Sequence, residues 1–256
     1  MTKKAHTVRL NAHLAHCGVA SRRKSDRLIE SGHVTINGKI VRQMGTIIDP
    51  QQDKVAVDGV PVRPERHVYY LLNKPRGVVS AANDPDGKQT VVDIIRNKKN
   101  LRLYPVGRLD IQSEGALILT NDGALTAGLL HPSNQIPRTY LARVRGQMST
   151  DDIHRIERGI RLEDGPIQPD SVLVTHRTSA STWVEIVLHE GRNRIVRRIF
   201  EAMGHQVARL IRTSFASLTI EDMAPGRYRN LTPVEVYELK RLLQLIDDVE
   251  RNSPKN

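Results

Sequence analysis

In this 256-residue sequence, few groups of residues have the types and spacing that catalysis requires. Three familiar catalytic or nucleotide-binding motifs are nearly present, but each has a wrong residue or a wrong spacing. The glycines and lysine of segment 32–39 are spaced one residue too widely for a phosphate-binding loop, and Ile40 stands where a magnesium-binding Ser or Thr belongs. Around Ser113, Ile111 occupies the first glycine position of a G-x-S-x-G elbow. His189-Glu190 lacks the second histidine of H-E-x-x-H. The sequence therefore does not predict nucleotide hydrolysis, serine hydrolysis or zinc proteolysis.

The remaining candidates are Asp110, at the end of Gly107-Arg108-Leu109-Asp110, and the arginines between Arg192 and Arg198. A carboxylate can act as a nucleophile or as a general base. An aspartate in such a short polar segment is also a common turn residue, and a row of arginines also forms a solvated helix face. The residue types by themselves leave these alternatives open.

The overall charge indicates a polyanionic partner. The chain has 39 Lys and Arg against 28 Asp and Glu, a net charge of +11, while 39% of its residues are hydrophobic. This composition is globular and unlike that of a disordered polybasic tail. The single cysteine, Cys17, excludes an internal disulfide, a Cys-rich zinc finger and an iron–sulfur cluster. The sequence contains no apolar run long enough to span a membrane, and no apolar block follows the basic N-terminus as in a secretory signal. We therefore expect a cytoplasmic protein that does not bind membranes.

The excess charge is concentrated in the first 66 residues, which hold 12 basic and 6 acidic side chains. Ser21 is a plausible N-cap for a helix that begins with Arg22-Arg23-Lys24, although basic residues are unfavourable at that end of the helix dipole. A phosphate bound there would explain the placement; a solvated basic face is the alternative. Asn37-Gly38 and Asp58-Gly59, each between short runs of β-branched residues, predict two hairpins.

This segment resembles the S4-type RNA-binding domain. The matching residues are Arg9-Leu10, Gly18-Val19-Ala20-Ser21-Arg22-Arg23 and Gly32-His33-Val34-Thr35-Ile36-Asn37-Gly38-Lys39. The resemblance implies that residues 1–66 form this domain with a linker, and that the domain reads shape and phosphates rather than base sequence. On this basis we predict RNA contacts by Arg9, Arg22, Arg23, Lys24 and Lys39.

Residues 67–251 predict a second domain, followed by a frayed tail over 252–256. Apolar runs at 68–72 and 116–119 predict buried strands, and alternation over 183–188 predicts a strand with one face in the core. Because strands and helices are irregularly interleaved, the α+β class is favoured over a doubly wound sheet.

Two helices of this domain have recognisable ends. One is predicted over 191–203, ended by Gly204. The other begins at the capping residues Thr232 and Glu235. Its predicted buried residues are Val236, Leu239, Leu242, Leu243 and Ile246.

Several stretches of the second domain together resemble the ribosomal RNA pseudouridine synthases. They are Asn73-Lys74-Pro75-Arg76-Gly77, Gly107-Arg108-Leu109-Asp110, Gly115-Ala116-Leu117-Ile118-Leu119-Thr120-Asn121-Asp122-Gly123, Arg138-Thr139-Tyr140 and Glu190-Gly191-Arg192-Asn193-Arg194-Ile195-Val196-Arg197-Arg198. The branch with an S4-type domain acts on single uridines of small- or large-subunit RNA. The resemblance implies an α+β protein whose small S4-type domain is joined to a mixed, mainly antiparallel catalytic sheet.

The implied reaction breaks the C1′–N1 bond of uridine, turns the uracil and joins C5 to C1′. Because it is an isomerisation, we predict no redox cofactor, metal or nucleotide. The resemblance makes Asp110 the essential carboxylate and leaves open whether it adds to the sugar or removes a proton from it. Either role needs an ionised carboxylate, which burial disfavours and a nearby guanidinium favours. The resemblance places Arg197 as that guanidinium.

The resemblance also implies a pocket for the uracil. Tyr140 would pack against the ring, Val196 would line the same pocket, and Arg108 would support the site. Two positions depart from the family: Ile195 stands where many relatives have Gln, and Ala116 replaces a bulkier residue.

The arginines of the last stretch divide by their spacing. Arg194 and Arg198 are four residues apart and would share a helix face that meets RNA, while Arg197 points inward. Lys74, before Pro75, is predicted to be structural or to contact a phosphate.

The motif Leu119-Thr120-Asn121-Asp122-Gly123 favours an enzyme that modifies the RNA of the large ribosomal subunit. We therefore expect the partner to be 23S rRNA, free or in an assembling subunit, and the enzyme to be a monomer. The same reaction on 16S rRNA is one alternative, and a non-catalytic RNA-binding assembly factor is another. Hydrolysis of a glycosidic bond is a third, which needs a second carboxylate such as Asp122 or Glu114.

Overall fold

The computed structural model describes residues 7–95 and 101–245, which form two compact units. The first unit contains residues 7–67 with 101–102, and the second contains the others. None of the described helices is long and apolar enough to cross a membrane. The predicted tail at 252–256 and the predicted core residue Ile246 lie outside the described residues.

The first unit consists of two short helices and small strand pairs. Its elements are β1 (Val8–Arg9), α1 (Leu10–His16), α2 (Arg22–Glu30), β2 (Val34–Ile36), β3 (Lys39–Ile40), β4 (Ile47–Ile48), β5 (Val55–Val57) and β6 (Val60–Pro61). The strand order is β3-β2-β5-β6 in one sheet, and β1 pairs with β4. Asn37 and Gly38 both have positive φ, as do Asp58 and Gly59, so the two predicted hairpins are confirmed.

A small apolar core fixes the direction of α2. Its fully or almost fully buried residues are Leu10, Leu14, Ile29, Val34, Ile48 and Val55. The Ser21 hydroxyl accepts a hydrogen bond from the backbone N–H of Lys24 at 3.2 Å, which confirms the predicted N-cap. As a result, the first turn of α2 is exposed and carries three basic side chains.

The second unit is built on one large sheet. Its strands are β7 (Tyr69–Lys74), β8 (Tyr104–Pro105), β9 (Glu114–Thr120), β10 (Arg138–Arg145), β11 (Ile160–Leu162), β12 (Gly165–Ile167), β13 (Ser171–Thr178), β14 (Ser181–Leu188), β15 (Val207–Phe215), β16 (Leu218–Thr219) and β17 (Tyr228–Asn230). Its helices are α3 (Val91–Ile94), α4 (Gly123–Leu130), α5 (Thr150–Glu157), α6 (Ile195–Ala202) and α7 (Pro233–Leu242), with a 3₁₀ turn at Pro132–Asn134.

The strand order of the large sheet is β13-β14-β10-β15-β9-β7-β17, with β8 beside β9 and β16 beside β15. Every pairing of this sheet is antiparallel except that of β9 with β15. Strands β11 and β12 form a separate hairpin. The predicted α+β class with a mainly antiparallel sheet is confirmed.

The centre of the sheet is covered on both faces. From β9, Ala116 and Ile118 pack in a core with α4 and α7, while Leu117 and Leu119 pack on the opposite side with α3. This two-sided burial explains why the sequence runs continuously apolar there. On β14, Val184, Ile186 and Leu188 are buried and their neighbours are not, so the predicted alternation is also confirmed.

Two details of the helix predictions are wrong. Helix α6 begins at Ile195 rather than at residue 191, because Arg194 has a left-handed backbone (φ 50°) that cannot continue a helix. On α7, Leu239 is buried and Leu243 packs partly against the core. Leu242 was also predicted to be buried, but it is 53% exposed.

Gly115, on β9 where it meets β15, has no room for a side chain. Its φ is +115°, and a Cβ atom would lie 2.2 Å from the carbonyl oxygen of Arg212 and 2.6 Å from its amide nitrogen. Because both atoms belong to backbone, we expect Gly115→Ala to lower the free energy of unfolding by at least about 3 kcal/mol, measured by urea denaturation. Gly146→Ala is the control, since Gly146 also has positive φ but no atom within 4 Å of its Cβ position. Its expected cost is about 1 kcal/mol, and equal losses in the two variants would contradict the steric explanation.

Candidate active site

A cavity of about 120 Å³ in the second unit brings together residues that are far apart in the sequence. Its walls come from the loop before β9, from β10 and β15, and from the start of α6. Of the residues predicted for the site, Arg108, Asp110, Tyr140 and Val196 line this cavity, and so does Arg194. Ile195, which stands where the resemblance implies a glutamine, also lines it and adds an apolar residue to the wall.

Two buried side chains hold the loop that carries Asp110. The Ser80 hydroxyl donates to the carbonyl of Leu109 (2.8 Å) and accepts from its N–H (3.1 Å). The Lys74 ammonium donates to the carbonyls of Pro75 (3.0 Å), Asp110 (3.2 Å) and Ser113 (2.9 Å). Hydrogen bonds from these two side chains therefore fix the backbone around Asp110. The sequence analysis did not identify Ser80.

Lys74 has a structural role. It is 0% exposed, so the predicted alternative of a phosphate contact is wrong. Burial lowers the pKa of Lys74 to about 8, and the carboxylates of Asp110 and Glu114 act in the opposite direction. At neutral pH the side chain is therefore still mainly an ammonium, as its carbonyl partners require.

Two guanidinium groups flank the Asp110 carboxylate. Its Oδ2 atom lies 3.8 Å from Nε of Arg197 and 3.7 Å from Nη1 of Arg194. Arg197 points inward as predicted and is 8% exposed, and its Nη1 donates to the carbonyl of Val207 at 2.9 Å. Its Nε is buried without a hydrogen-bond acceptor in the described part of the chain. A small shift of either side chain would turn this ion pair into a charge-assisted hydrogen bond.

Burial lowers the pKa of Arg197, and the charge of Arg194 acts in the same direction while Asp110 opposes it. An arginine nevertheless remains charged. The carboxylate of Asp110 thus has a fixed, partly desolvated cation beside it and is itself 35% exposed toward the cavity. This arrangement suits a group that must react in its ionised form.

The floor of the cavity contains two arginines that sequence reasoning did not select. Tyr140 on β10 lies opposite Arg212 on β15, and Arg138 lies opposite Phe215. The guanidinium carbons of Arg138 and Arg212 lie 5.2 and 4.7 Å from the centroid of the Phe215 ring. The sequence did contain a signal for Arg138. It is two residues from Tyr140, and residues two apart in a strand lie on the same face.

The predicted common face of Arg194 and Arg198 is wrong. Arg194 precedes α6, whereas the Arg198 guanidinium donates to the carboxylate of Asp164, which also accepts from Arg192. The hydrogen bond from Arg198, together with the charges of both arginines, lowers the pKa of Asp164 to about 2. RNA contacts by Arg194 and Arg198 stay predictions. Arg198 would contact RNA while it remains paired with Asp164.

The basic residues predicted to bind RNA in the first unit are all exposed. They are Arg9 at the end of β1, Arg22, Arg23 and Lys24 in the first turn of α2, and Lys39 on β3. No ion pair joins any of these five to another described residue. Their charges are therefore available to phosphates, although the contacts themselves stay predictions.

A second catalytic carboxylate is not among the cavity-lining residues. Glu114 accepts two hydrogen bonds from Arg209 (2.9 and 2.8 Å), and Asp122 caps α4 while accepting from the Tyr69 hydroxyl at 2.8 Å. Both carboxylates are thus engaged elsewhere, which removes the support for glycosidic hydrolysis. Within residues 7–95 and 101–245, no three His, Cys, Asp or Glu side chains are grouped so that they could hold a metal ion.

Comparisons with known proteins agree with this geometry. A family model described as RNA pseudouridylate synthase matches residues 68–202, and an S4 domain model matches residues 8–53. The chain is similar to the ribosomal large subunit pseudouridine synthase B of Bacillus subtilis (strain 168), with 44% identity over 93% of this chain and 97% of the relative. Identity to the protein of the same name from Yersinia pestis is 36%, over 93% of this chain and 76% of that one.

A solved structure gives the same result for the fold. The crystal structure of a pseudouridylate synthase superposes with a TM-score of 0.65 and 27% identity, over 91% of this chain and 99% of that one. The S4 domain match, the catalytic-family match and the relatives together span nearly the whole chain. The chain belongs to the RNA pseudouridylate synthase family.

Proposed function

We propose that this enzyme converts a uridine of 23S ribosomal RNA to pseudouridine, with Asp110 as its essential carboxylate. The observation that carries the proposal is the cavity in which Asp110, backed by Arg197, shares one small volume with Tyr140 and Val196. A carboxylate, a flat aromatic ring and an apolar wall are what the cleavage and turning of a uracil require. Tyr140 is 7% exposed, so its ring is fixed before any base arrives.

The geometry supports a definite order of events. A target uridine in a helix must first leave the stack, at a cost of a few kcal/mol. Exposed cations on both units, including Arg108 at the cavity, offset this cost through phosphate contacts. Asp110 then acts at the ribose, either by bonding to C1′ or by removing a proton from the sugar, and Tyr140 confines the freed uracil while it turns.

The choice of 23S rRNA rests on the two relatives named as large-subunit enzymes, together with the Leu119-Thr120-Asn121-Asp122-Gly123 wording. We propose that the RNA is recognised free or in an assembling subunit, and that the enzyme acts in the cytoplasm as a monomer. The basic charge and the S4 domain support RNA as the partner, and every residue that lines the cavity belongs to the second unit.

Tritium release from rRNA labelled at uracil C5 tests the proposed function. Substitution at C5 releases this tritium, so release from 23S but not 16S rRNA is the expected result. Release from 16S rRNA alone would move the target to the small subunit. If neither naked rRNA nor immature subunits released tritium, the proposal would fail in favour of a non-catalytic assembly factor.

The first turn of α2 should contribute to RNA affinity. We expect replacement of Arg22, Arg23 and Lys24 by Gln to weaken rRNA binding and to reduce the salt slope of log K by about one for each phosphate that these side chains neutralise in the wild type. The measurement is the RNA dissociation constant over a series of salt concentrations.

A matched control variant also loses three positive charges, but away from α2, and so measures the general effect of the lower net charge. Arg143, Arg145 and Arg177 are exposed residues of β10 and β13 with no predicted RNA contact. Their replacement by Gln should leave the salt slope almost unchanged. If the α2 variant kept the wild-type slope, the RNA would have to bind elsewhere.

A further inference from the structure

Arg212 is a buried cation whose charge the protein does not balance. The residue is 3% exposed, and its Nε donates to the carbonyl of Ala116 at 2.8 Å. Its terminal nitrogens donate to no acceptor in the described chain, Nη2 being fully buried, and no described carboxylate forms an ion pair with it. A buried guanidinium without an anionic partner is unfavourable. Nη1 is not fully buried, and Arg212 lines the cavity, so Nη1 is the donor for which a substrate can supply an acceptor.

The neighbouring arginine makes this wall more electropositive. Arg138 is 7% exposed, and its Nη1 already donates to the carbonyls of Ile136 (3.1 Å) and His189 (2.8 Å). Burial lowers the pKa of Arg138, and the charge of Arg212 acts in the same direction. Since Arg138 uses its donors to hold the fold, Arg212 is the residue with donors left for a ligand.

The location of Arg212 selects the part of the substrate that it meets. It is the cross-strand partner of Tyr140, and both side chains line the cavity. Directly opposed side chains on one sheet face are close neighbours, with Cβ atoms about 5 Å apart. A uracil packed against Tyr140 therefore lies within reach of Arg212. Uracil carries carbonyl acceptors at O2 and O4.

We propose that Arg212 donates a hydrogen bond to a carbonyl oxygen of the target uracil and stabilises the negative charge that forms when the C1′–N1 bond breaks. This role rests on the proposed function, and adds to it the residue that makes uracil a better leaving group. It makes Arg212 a catalytic residue in addition to Asp110.

The electron balance of the step explains why a guanidinium fits. When the C1′–N1 bond breaks, its electron pair stays on the uracil, and the resulting anion is shared among N1, O2 and O4. Arg212 donates a hydrogen bond without giving up its proton. A fixed charged donor aimed at developing charge, away from water, lowers the barrier to bond cleavage.

The same donor can serve both halves of the reaction. When the ring turns about the axis through N3 and C6, N1 exchanges places with C5, and O2 exchanges places with O4. A carbonyl therefore faces Arg212 before and after the turn. C5 then uses the electron pair to bond to C1′, loses its proton, and N1 gains one.

The experiment compares Arg212→Met and Arg212→Lys with wild type in single-turnover reactions on a synthetic RNA stem-loop that carries the mapped uridine. Methionine fills similar space without the buried charge, so it should preserve folding. We expect the rate of Arg212→Met to fall about 100-fold, with RNA affinity unchanged and only a slightly lower melting temperature, because the carbonyl of Ala116 loses its donor. Arg145→Met, at the exposed end of β10, is the control and should keep the wild-type rate.

Two results would overturn the proposal: a near-wild-type rate for Arg212→Met, or a loss of RNA affinity equal to the loss of rate. The second would mean that Arg212 binds a phosphate. Tritium release from 23S rRNA separates the hypotheses. If the wild type releases none from naked rRNA or from immature subunits, the proposed function fails, whereas normal wild-type turnover of the stem-loop with an equally active Arg212→Met refutes this role alone.

Modified RNA tests the contact from the substrate side. Stem-loops with 2-thiouridine or 4-thiouridine at the target offer sulfur, a weaker acceptor, in place of one carbonyl oxygen. We expect at least one thio substitution to slow the wild type and to have little further effect on Arg212→Met, which has no donor to lose. Should the variants unfold, the wild type still decides: rates on both thio RNAs as high as on the oxygen RNA would contradict the contact.

Discussion

Asp110→Asn should abolish tritium release, with a loss of rate on the order of 10⁴-fold, as is typical when an essential catalytic carboxylate becomes an amide. An amide cannot act as a nucleophile or as a base at the ribose. The substitution leaves the loop in place, because the contacts that fix it use the backbone carbonyl of Asp110, which accepts from Lys74 and from the Ser113 N–H. The measurement is single-turnover release of tritium from C5-labelled 23S rRNA.

A second substitution shows whether the effect belongs to this carboxylate. Asp222 is exposed and has positive φ (62°), a conformation that Asn adopts readily, so Asp222→Asn should keep full activity. RNA affinity and unfolding of Asp110→Asn should match the wild type, since within residues 7–95 and 101–245 the Asp110 side chain forms no hydrogen bond that holds the fold. Tritium release by Asp110→Asn at the wild-type rate would show that another group does the chemistry.

Much of the fold could be predicted because its signals are local. The capping of α2 by Ser21 and the Asn37-Gly38 turn depend on neighbouring residues alone. The burial of β9 was predictable from an apolar run that has no polar face. These patterns do not specify which strands pair, and the parallel contact of β9 with β15 joins residues 97 apart in the sequence, such as Glu114 and Ile211.

The parts of the site that sequence reasoning missed are those that depend on such distant contacts. Ser80 holds the Asp110 loop from a separate loop, and nothing around it in the sequence marks that role. A structural role was one of the two predictions for Lys74, but its contact with this loop was not predicted. The start of α6 was misplaced because Arg192 and its partner Asp164, which hold the preceding segment, are 28 residues apart. The resemblance located Asp110, Arg197 and Tyr140, and the three-dimensional contacts add Arg138 and Arg212.

The arginines around the cavity form three electrostatic classes. Arg192 and Arg198 share the carboxylate of Asp164, and Arg192 also pairs with Glu190. Arg197 shares the carboxylate of Asp110 with Arg194, while Arg212 has no carboxylate within the described residues. Among these arginines, Arg212 therefore has positive charge that no described carboxylate shares. A fixed charge of this kind favours a nucleotide whose negative charge grows during the reaction.

Arg197→Leu should remove most of the activity while leaving folding and RNA binding intact. The guanidinium lies 3.8 Å from Asp110 and is buried, so it orients and stabilises the ionised carboxylate. Loss of this support should slow single-turnover tritium release about 100-fold, the usual cost of a misplaced catalytic group. Leucine suits the apolar surroundings, and the unpaired carbonyl of Val207 costs about 1 kcal/mol of unfolding free energy.

Arg194→Leu is the informative comparison, because Arg194 lies at nearly the same distance from the carboxylate, 3.7 Å, but its side chain is 47% exposed and also faces Glu201. Solvent and salt screen an exposed cation far more than a buried one, so its loss should slow the reaction much less. Near-normal turnover by Arg197→Leu would refute its role. Equal losses in the two variants would mean that the positive charge around Asp110 matters rather than the fixed position of Arg197. A large loss confined to Arg197→Leu would tie catalysis to the desolvated ion pair.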